Sequence, residues 1–445
     1  MAGVLLLWLR NDLRLHDHPA LRRAMDRCQR DGLALLPVAW HGPSAPEPTR
    51  WGFERVGPHR RAFRQQALIG LARSLQALGS GLVVLEGASP QPLADLARRV
   101  GAVGLVASAI EAPEERAEVA ALRAQGLVVD TVAQGGLFDA AQLPWAPEAV
   151  PPVFTAFRHG VERLRLQAPP PLPTPQALPP WPAALPRPPL PARLEALPMG
   201  ATDERSSFPY GLAAWRGDEA AALAHLEGYL ARGLPHTYKA TRNALTGRDF
   251  ASHWSPWLAH GALSVRRVVA ELQAFEAAHG ASDGSYWLWF ELLWREHFRS
   301  MLHRFGAGLF RPQGLLPSAP RAPHSAEAFA RWCAGGTGIG LVDAAMRELR
   351  HTGTLSNRLR QIVASALIHE CRGDWRAGAA WFEHSLIDFD VHSNQGNWAY
   401  IAGVGTDPRG GRRFNLDKQA REHDADGVYC RRWLGDGGVS ASSSG

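Results

Sequence analysis

The sequence predicts two domains of different class, an α/β domain with a doubly wound, parallel, five-stranded sheet and an all-helical domain. Short apolar runs alternate with amphipathic segments over residues 1–135, a pattern typical of strands and helices around a parallel sheet. Prolines then concentrate in residues 136–205, which we interpret as an interdomain linker. Residues 206–434 have helical periodicity without strand alternation, and residues 435–445 have a disordered composition.

Composition limits the class of protein. The chain has 445 residues, 46% hydrophobic and 20% charged, which is ordinary for soluble globular domains. Its net charge of +6 permits a polyanionic partner without requiring one. The four cysteines show no CxxC spacing, so neither a zinc site nor a disulfide framework is predicted. No apolar run reaches membrane-spanning length and the start lacks a basic region, so we expect a cytoplasmic protein with no membrane partner.

The first domain contains five short apolar runs. They predict strands at residues 4–9, 34–40, 81–86, 104–107 and 127–132. Amphipathic stretches at 60–78 and 92–100 predict helices between them. The first strand is followed by Asp12, Arg14 and Asp17 in place of a glycine-rich phosphate loop. These side chains could face a ligand, but we interpret them as a charged turn that fixes the strand end.

Residues 143–198 contain about half of the 34 prolines in the chain. Proline lacks an N–H and fixes φ, so we predict an extended, semi-rigid connector here. A PxxP-type recognition segment is the alternative. One helical stretch, residues 153–166, lies near its start.

Three segments of the second domain predict helices. Residues 213–232 form an amphipathic pattern, and a helix within 256–279 has Ser264 as its N-cap. Residues 286–305 are apolar nearly all round, which predicts a helix buried in a large core.

One face of the 286–305 helix carries an unusual set of side chains. Glu291, Trp294, Arg295 and Phe298 are spaced i, i+3, i+4 and i+7, so they share that face. Glu291 and Arg295 could be a simple intrahelical ion pair. A carboxylate, an indole and a guanidinium together would also suit a pocket for a planar heterocycle.

A polar cluster lies within otherwise apolar sequence at residues 343–400. Its members are Asn357, Arg358, Arg360 and Gln361, which interrupt a predicted helix, and Asp388, Asp390, Asn394 and Asn397 about thirty residues later. Arg and Asp are rarely buried unless paired, so we predict an Arg360–Asp388 ion pair beneath a polar pocket. An ordinary capping and salt-bridge cluster is the alternative.

Seven segments together resemble one family over nearly the whole chain. They are VLLLWLRNDLRLHDHPAL, FTAFRHGVE, TYKATRNALTGRDF, SHWSPWLAHGALS, WFELLWREHFR, GIGLVDAAMRELRHTGTLSNRLRQ and DWRAGAAWFEHSLIDFDVHSNQGNWAYIAGVGTDPR. In this order they resemble the photolyase/cryptochrome flavoproteins, and among these the DASH-type cryptochromes.

The resemblance implies a helical domain that binds FAD, and light-driven repair of cyclobutane pyrimidine dimers by an electron from reduced FAD. It implies DNA as the partner, single-stranded or looped by preference, and a monomeric protein. An antenna chromophore, 5,10-methenyltetrahydrofolate, is also implied. Its glutamate ligand would fall within residues 111–118, although we interpret this stretch as a solvated helix face. The alternatives are a blue-light photoreceptor that signals through flavin redox state, and a non-catalytic nucleic-acid-binding flavoprotein.

The resemblance also implies roles for individual residues. The FAD set is Tyr238, Ser252, His253, Trp254 and Ser255 on the phosphate side, with Arg360, Asp388, Asp390 and Asn394 around the isoalloxazine ring. The catalytic set is Glu291, Trp294, Asn357 and Asn394. The DNA-contacting set is Arg242, Trp294, Arg295, Asn357, Gln361, Tyr400 and Gln419. No metal ligand is expected. Glu291 would hydrogen-bond the dimer's carbonyls, and Asn394 would face flavin N5 and favour the reduced cofactor.

The chain departs from the family pattern in its electron supply and at two cofactor positions. Trp398 and Trp375 match two members of an electron-transfer chain, but residues 321–325 contain no aromatic where a third is expected. We expect weaker photoreduction, or a route through Trp332 or Trp381. His253 replaces a usual lysine, which weakens phosphate pairing near neutral pH, and Gln395 replaces a usual aromatic.

Overall fold

The computed structural model describes residues 3–41, 48–87, 89–189, 196–319 and 323–435. Its strands are β1 Val4–Leu9, β2 Ala34–His41, β3 Val83–Glu86, β4 Ala102–Ala109 and β5 Val129–Ala133. The helices among them are α1 Pro19–Asp31, α2 Pro58–Ala77, α3 Gln91–Arg99 and α4 Pro113–Ala124. The later helices are α5 Phe154–Arg163, α6 Glu219–Ala231, α7 Tyr238–Thr241, α8 Ser255–His260, α9 Val265–His279, α10 Asp283–Phe305, α11 Ala326–Ala334, α12 Gly340–Thr352, α13 Asn357–His369, α14 Trp375–Ser385, α15 Val391–Ile401, α16 Leu416–His423 and α17 Val428–Leu434.

The N-terminal sheet is parallel and has the order β3-β2-β1-β4-β5. The central strand β1 is buried along its whole length. Leu5, Leu7 and Leu9 face one apolar core, while Leu6 and Trp8 face a second core on the other side. An apolar run without polar alternation is what a strand covered on both faces requires. The predicted α/β class is therefore confirmed, with all five strands present.

The charged turn after β1 joins the two parts of the molecule. Asp12 accepts hydrogen bonds from Arg10 N at 2.6 Å and Gln134 Nε2 at 2.6 Å. The buried Arg14 guanidinium donates to Gly261 O at 2.9 Å, and Asp17 accepts from the Ser264 hydroxyl. These contacts confirm the interpretation of a turn and show that it also fixes the helical domain against the strand ends.

Residues 166–189 of the proline-rich segment contain no helix or strand and lie against the α/β domain. Leu35 N donates to Pro180 O at 3.0 Å, and the buried Trp181 packs against Gly81. One predicted helical stretch within it forms α5, whose Phe154 and Phe157 pack in the helical core. The domain boundaries at 135, 205 and 434 stay predictions. The predicted tail lies outside the described residues, apart from Gly435.

One helical prediction needs a correction. Residues 213–232 are not one helix, because a short 3-10 turn, Ala213–Trp215, precedes α6. Gly217 passes so close to the Phe63 carbonyl that a Cβ would clash, and the Asp218 side chain then caps α6. In the 256–279 segment a short helix, α8, precedes the predicted one, and Gly261 ends α8 by adopting φ 72°.

The remaining helix signals agree with the structure. The Ser264 hydroxyl accepts from Arg266 N at 3.1 Å, which confirms it as the N-cap of α9. The apolar segment 286–305 lies within α10, a 23-residue helix at the centre of the helical domain. Among the described residues, no helix is both long and apolar enough to cross a membrane.

Candidate functional site

The helical domain encloses a cavity of about 790 Å³. Its walls come from α7, α8 and α10, from the start of α13, and from residues around α15. A volume of this size lies within the usual range for small-molecule and cofactor sites, roughly 300–1,000 Å³. Fifteen of the sequence-predicted residues line it: Tyr238, Arg242, Ser252, His253, Trp254, Ser255, Glu291, Trp294, Arg295, Asn357, Arg360, Gln361, Asp388, Asp390 and Tyr400.

The predicted ion pair lies in the wall of this cavity. Arg360 Nη2 donates to Asp388 Oδ2 at 2.8 Å, and the Ser255 hydroxyl donates to the same oxygen at 2.7 Å. The Asp388 side chain is 4% exposed and that of Arg360 is 28% exposed. The other carboxylate oxygen, Asp388 Oδ1, is buried and has no donor among the described residues. Asp388 thus supplies a free acceptor in a polar wall.

Asp390 is held as a carboxylate at the start of α15. It caps the helix by accepting from Ser393 N at 2.9 Å. Burial opposes its ionisation, but His392, Arg295 and Arg299 outweigh burial and keep the pKa of Asp390 well below its ordinary value. The cavity therefore has a second fixed acceptor close to the Arg360–Asp388 pair.

The segment before α8 forms another wall. His253 has φ 52°, a left-handed conformation that is uncommon for a residue other than glycine. Burial lowers the pKa of its imidazole to about 3, so His253 is neutral near pH 7. This agrees with the expectation that His253 supplies little positive charge to a phosphate. The hydroxyls of Ser252 and Ser255 remain as polar groups on this wall.

The mouth of the cavity carries the polar and aromatic face of α10. Glu291 is paired with Arg242 and not with Arg295, so of the two alternatives for this face the intrahelical ion pair is not formed, and Glu291, Trp294 and Arg295 line a pocket. Arg295 instead donates to Gly135 O at 2.7 Å, at the end of the α/β domain. The Glu291–Arg242 contact joins residues that are 49 apart, so i, i+4 spacing along one helix does not indicate it.

Aromatic rings line the mouth beside Glu291. Trp294 stacks on Phe154 with ring centroids 3.7 Å apart. The Tyr400 ring meets the Trp294 ring edge-on, with centroids 5.7 Å apart. The Arg242 guanidinium lies 4.2 Å from the Trp287 ring centroid. Such a surface can hold planar rings by stacking and by cation–π contact.

The amides of the predicted polar cluster begin a helix and do not interrupt one. Ser356 is the N-cap of α13, and Asn357 is its first residue and is exposed. Polar side chains are common in a first turn because its N–H groups lack helical partners. Gln361 lies one turn later and accepts from Arg358 Nη1 at 3.3 Å.

Asn394 and Trp398 line a smaller adjoining cavity of about 80 Å³. Asn357, Arg360 and Asp388 line both this cavity and the large one. Asn394 Nδ2 donates to Ala379 O at 3.1 Å.

Of the electron-transfer candidates, Trp398 is buried, with its ring centroid 6.3 Å from that of the buried Trp332. Trp375 donates to Pro312 O at 3.0 Å and lines neither cavity. Trp381 meets Phe53 edge-on at 5.1 Å. Of the residues where an aromatic was expected, 321 and 322 lie outside the described residues.

Gln419 lies apart from this site. It is on α16 with 8% exposure, and it lines neither cavity. Its predicted DNA contact stays a prediction, with little side-chain surface to make it.

The sequence reasoning missed Arg409 and Arg412, which line the cavity. Arg412 donates to Tyr400 Oη at 2.6 Å and to Asp407 at 2.9 Å. Their only sequence signal was a local excess of basic residues.

The acidic stretch considered for an antenna ligand forms α4 and its approach. Glu118 accepts from Arg10 Nη2 at 2.7 Å, and Glu114 is paired with Arg55. Glu111 lies 3.9 Å from His303. These pairs tie α4 to its surroundings and do not test the folate prediction.

Comparison with known proteins gives the class of the fold and site. Residues 5–176 match the family model described as DNA photolyase, and residues 287–437 match the FAD binding domain of DNA photolyase. A bacterial class III photolyase from Agrobacterium tumefaciens superposes with a TM-score of 0.79 at 28% identity, covering 97% of this chain and 86% of that one. The molecule has the architecture of the DNA photolyases, with an FAD-binding helical domain.

Similar sequences define the family more closely. Cryptochrome DASH of Synechocystis sp. is 39% identical over 434 residues, covering 96% of this chain and 87% of that protein. Cryptochrome DASH of Gloeobacter violaceus is 42% identical over 435 residues, covering 96% and 85%. The Synechocystis cryptochrome structure superposes with a TM-score of 0.88, covering 98% and 89% of the two chains. The chain belongs to the photolyase/cryptochrome family, among the DASH cryptochromes.

The residues of the large cavity fit FAD. Asp390 and the free oxygen of Asp388 are acceptors suited to flavin ring N–H groups, and Arg360 can face a ring carbonyl. The hydroxyls of Ser252 and Ser255 suit phosphate oxygens. The donor and acceptor set is that of a flavin nucleotide site.

Proposed function

We propose that this protein uses light to split cyclobutane pyrimidine dimers in DNA, acting as a monomer with a preference for single-stranded or looped DNA. One observation carries the proposal: the cofactor residues and the predicted dimer residues line one continuous cavity. Arg360, Asp388 and Asp390 belong to its polar wall, and Glu291 and Trp294 belong to the part formed by α10. A dimer entering the mouth would meet a cofactor held by that wall.

The chemistry comes from the cofactor. When bound and reduced, FAD would supply, after excitation by light, the electron that splits the dimer. The electron would then return to the flavin. The chain's own residues have other tasks. Arg360, Asp388 and Asp390 hold the ring, Tyr238 and residues 252–255 hold the phosphate side, and Asn394 stabilises the reduced form. These roles rest on the positions of the residues and on the family resemblance.

The mouth residues bind the extruded dimer. Trp294 and Tyr400 present ring faces and edges against which two linked pyrimidines can pack. Glu291 forms a hydrogen bond to the dimer's carbonyls, and Asn357 and Gln361 complete the rim. Extruding a base from a duplex costs a few kcal/mol and less from an unpaired strand, which supports the single-strand preference.

The DNA backbone is held around the rim. Arg242 and Arg295 were predicted for this role, and Arg409 and Arg412 extend the basic rim. A folate antenna remains part of the proposal, on the family resemblance alone.

A repair assay tests the function. The purified protein, with FAD confirmed by absorbance, is reduced and mixed with a single-stranded oligonucleotide containing one thymine dimer. Blue light should restore thymine absorbance, and a duplex with the same dimer should be repaired more slowly. Absence of light-dependent recovery would refute repair and favour the photoreceptor alternative.

A further inference from the structure

The acid and the base at the mouth of the cavity are paired with each other in the free protein. Glu291 belongs to α10, while Arg242 is the C-cap residue of α7. Their side chains are 30% and 21% exposed. Under the proposed function they have different partners, since Glu291 binds the dimer and Arg242 binds the DNA backbone. The ion pair of the free protein therefore has to open before either side chain can bind its partner in the DNA.

Arg242 is the charged group that contacts Glu291 among the described residues. The nearby Tyr238 phenol is buried and neutral, because burial raises its pKa. Four other arginines of the cavity are bound elsewhere: Arg295 to Gly135 O, Arg358 to Gln361 and Asn243, Arg360 to Asp388, and Arg412 to Tyr400 and Asp407. Arg409 also lines the cavity, but the ion pair of Glu291 is with Arg242. Loss of Arg242 would leave Glu291 without a counter-ion.

Arg242 has a second contact, which does not depend on Glu291. Its guanidinium lies over the Trp287 ring, so it can turn from the carboxylate to a phosphate while that contact remains. Planar guanidinium groups bind carboxylate and phosphate in the same forked geometry. The exchange thus needs a side-chain movement and no change of fold.

We infer that Arg242 and Glu291 exchange partners when damaged DNA binds: a backbone phosphate takes Arg242, and Glu291 takes one proton from solvent and donates a hydrogen bond to a dimer carbonyl. This inference rests on the proposed function. The balance is one proton bound per lesion bound, with no redox change. A neutral carboxyl can donate to a carbonyl, whereas a carboxylate can only accept.

The surroundings of Glu291 favour this proton uptake. Burial raises the pKa of Glu291 although Arg242 opposes the rise. Removing the opposing cation raises the pKa of Glu291 further, which favours the protonated form. The exchange also selects damaged DNA. An undamaged strand offers phosphate to Arg242 but does not hold two pyrimidine carbonyls together for Glu291, so breaking the ion pair is compensated only on the Arg242 side.

Isothermal titration calorimetry tests the exchange. The FAD-loaded protein is titrated in the dark with the single-stranded dimer oligonucleotide, in buffers of different ionisation enthalpy. We expect uptake of about one proton per lesion at neutral pH, and lesion affinity that falls by up to about tenfold per pH unit at higher pH. Specific binding without proton uptake would overturn the exchange and leave the repair proposal standing. Failure to bind the dimer would overturn both.

Variants separate the exchange from general charge effects. Glu291→Gln cannot titrate and should bind the lesion with no proton uptake. Arg242→Lys keeps the charge and should retain uptake. The control is Arg232→Ala, which removes an exposed arginine paired with Asp249 at 2.7 Å and should leave uptake unchanged. Uptake that persists in Glu291→Gln would refute the assignment to Glu291.

Discussion

Removal of the Asp388 carboxylate should weaken both the helical domain and its grip on FAD. Asp388 is 4% exposed and accepts hydrogen bonds from Arg360 and Ser255. Breaking a buried pair by deleting one partner costs about 3–5 kcal/mol, because an uncompensated charge remains. Arg360 is 28% exposed, so water screens part of that penalty. We therefore expect Asp388→Ala to lower the free energy of unfolding by about 2–3 kcal/mol.

A double-mutant cycle isolates the interaction. Asp388→Ala, Arg360→Ala and the double variant are unfolded in urea without FAD, and the coupling energy should be about 2 kcal/mol. The matched control is the exposed Arg232–Asp249 pair, whose coupling should be below about 1 kcal/mol. FAD retained after gel filtration should fall in Asp388→Ala and remain in Asp249→Ala. A coupling energy below about 0.5 kcal/mol for Arg360–Asp388 would refute the buried-pair reasoning.

Three further predictions follow from other parts of the site and core. Glu291→Ala should slow repair by roughly 10- to 100-fold, the loss of a hydrogen bond to a charged group, while leaving the flavin absorbance spectrum intact; an unchanged rate would remove Glu291 from the mechanism. His297 is fully buried and burial lowers its pKa to about 3, so the folded state keeps it neutral while the unfolded chain protonates it below about 6.5. The contribution of neutral His297 to stability is thus fully present above about pH 6.5 and is lost as pH falls toward 3. His297→Phe should reduce that loss by up to about 1.4 kcal/mol per pH unit in urea titrations at about pH 4–7. An unchanged slope of unfolding free energy against pH would contradict this. Trp332→Phe should slow photoreduction of bound flavin, followed at 450 nm with thiol present, because Trp332 is 6.3 Å from Trp398; equal rates would exclude that route.

Much of the fold could be predicted from local sequence. The apolar run of β1, the Ser264 cap and the all-round apolar α10 follow from periodicity and capping chemistry, which act over a few residues. The break before α6 was missed because the close approach of Gly217 to Phe63 O depends on tertiary packing.

The site was predictable only in part. The Arg360–Asp388 pair was found because buried charges require partners. The Glu291–Arg242 pair was not predicted, because the two residues are 49 apart and spacing along one helix carries no information about such a contact. The residue roles came from the family resemblance, since neither spacing nor charge names a cofactor.

Dimer loss per protein molecule tests the central claim most directly. The reduced, FAD-loaded protein is illuminated with an excess of single-stranded oligonucleotide carrying one thymine dimer, and dimers are counted by liquid chromatography and mass spectrometry against a dark sample. We predict that each protein molecule removes several dimers in the light and none in the dark. Equal dimer content in the two samples would contradict light-driven repair.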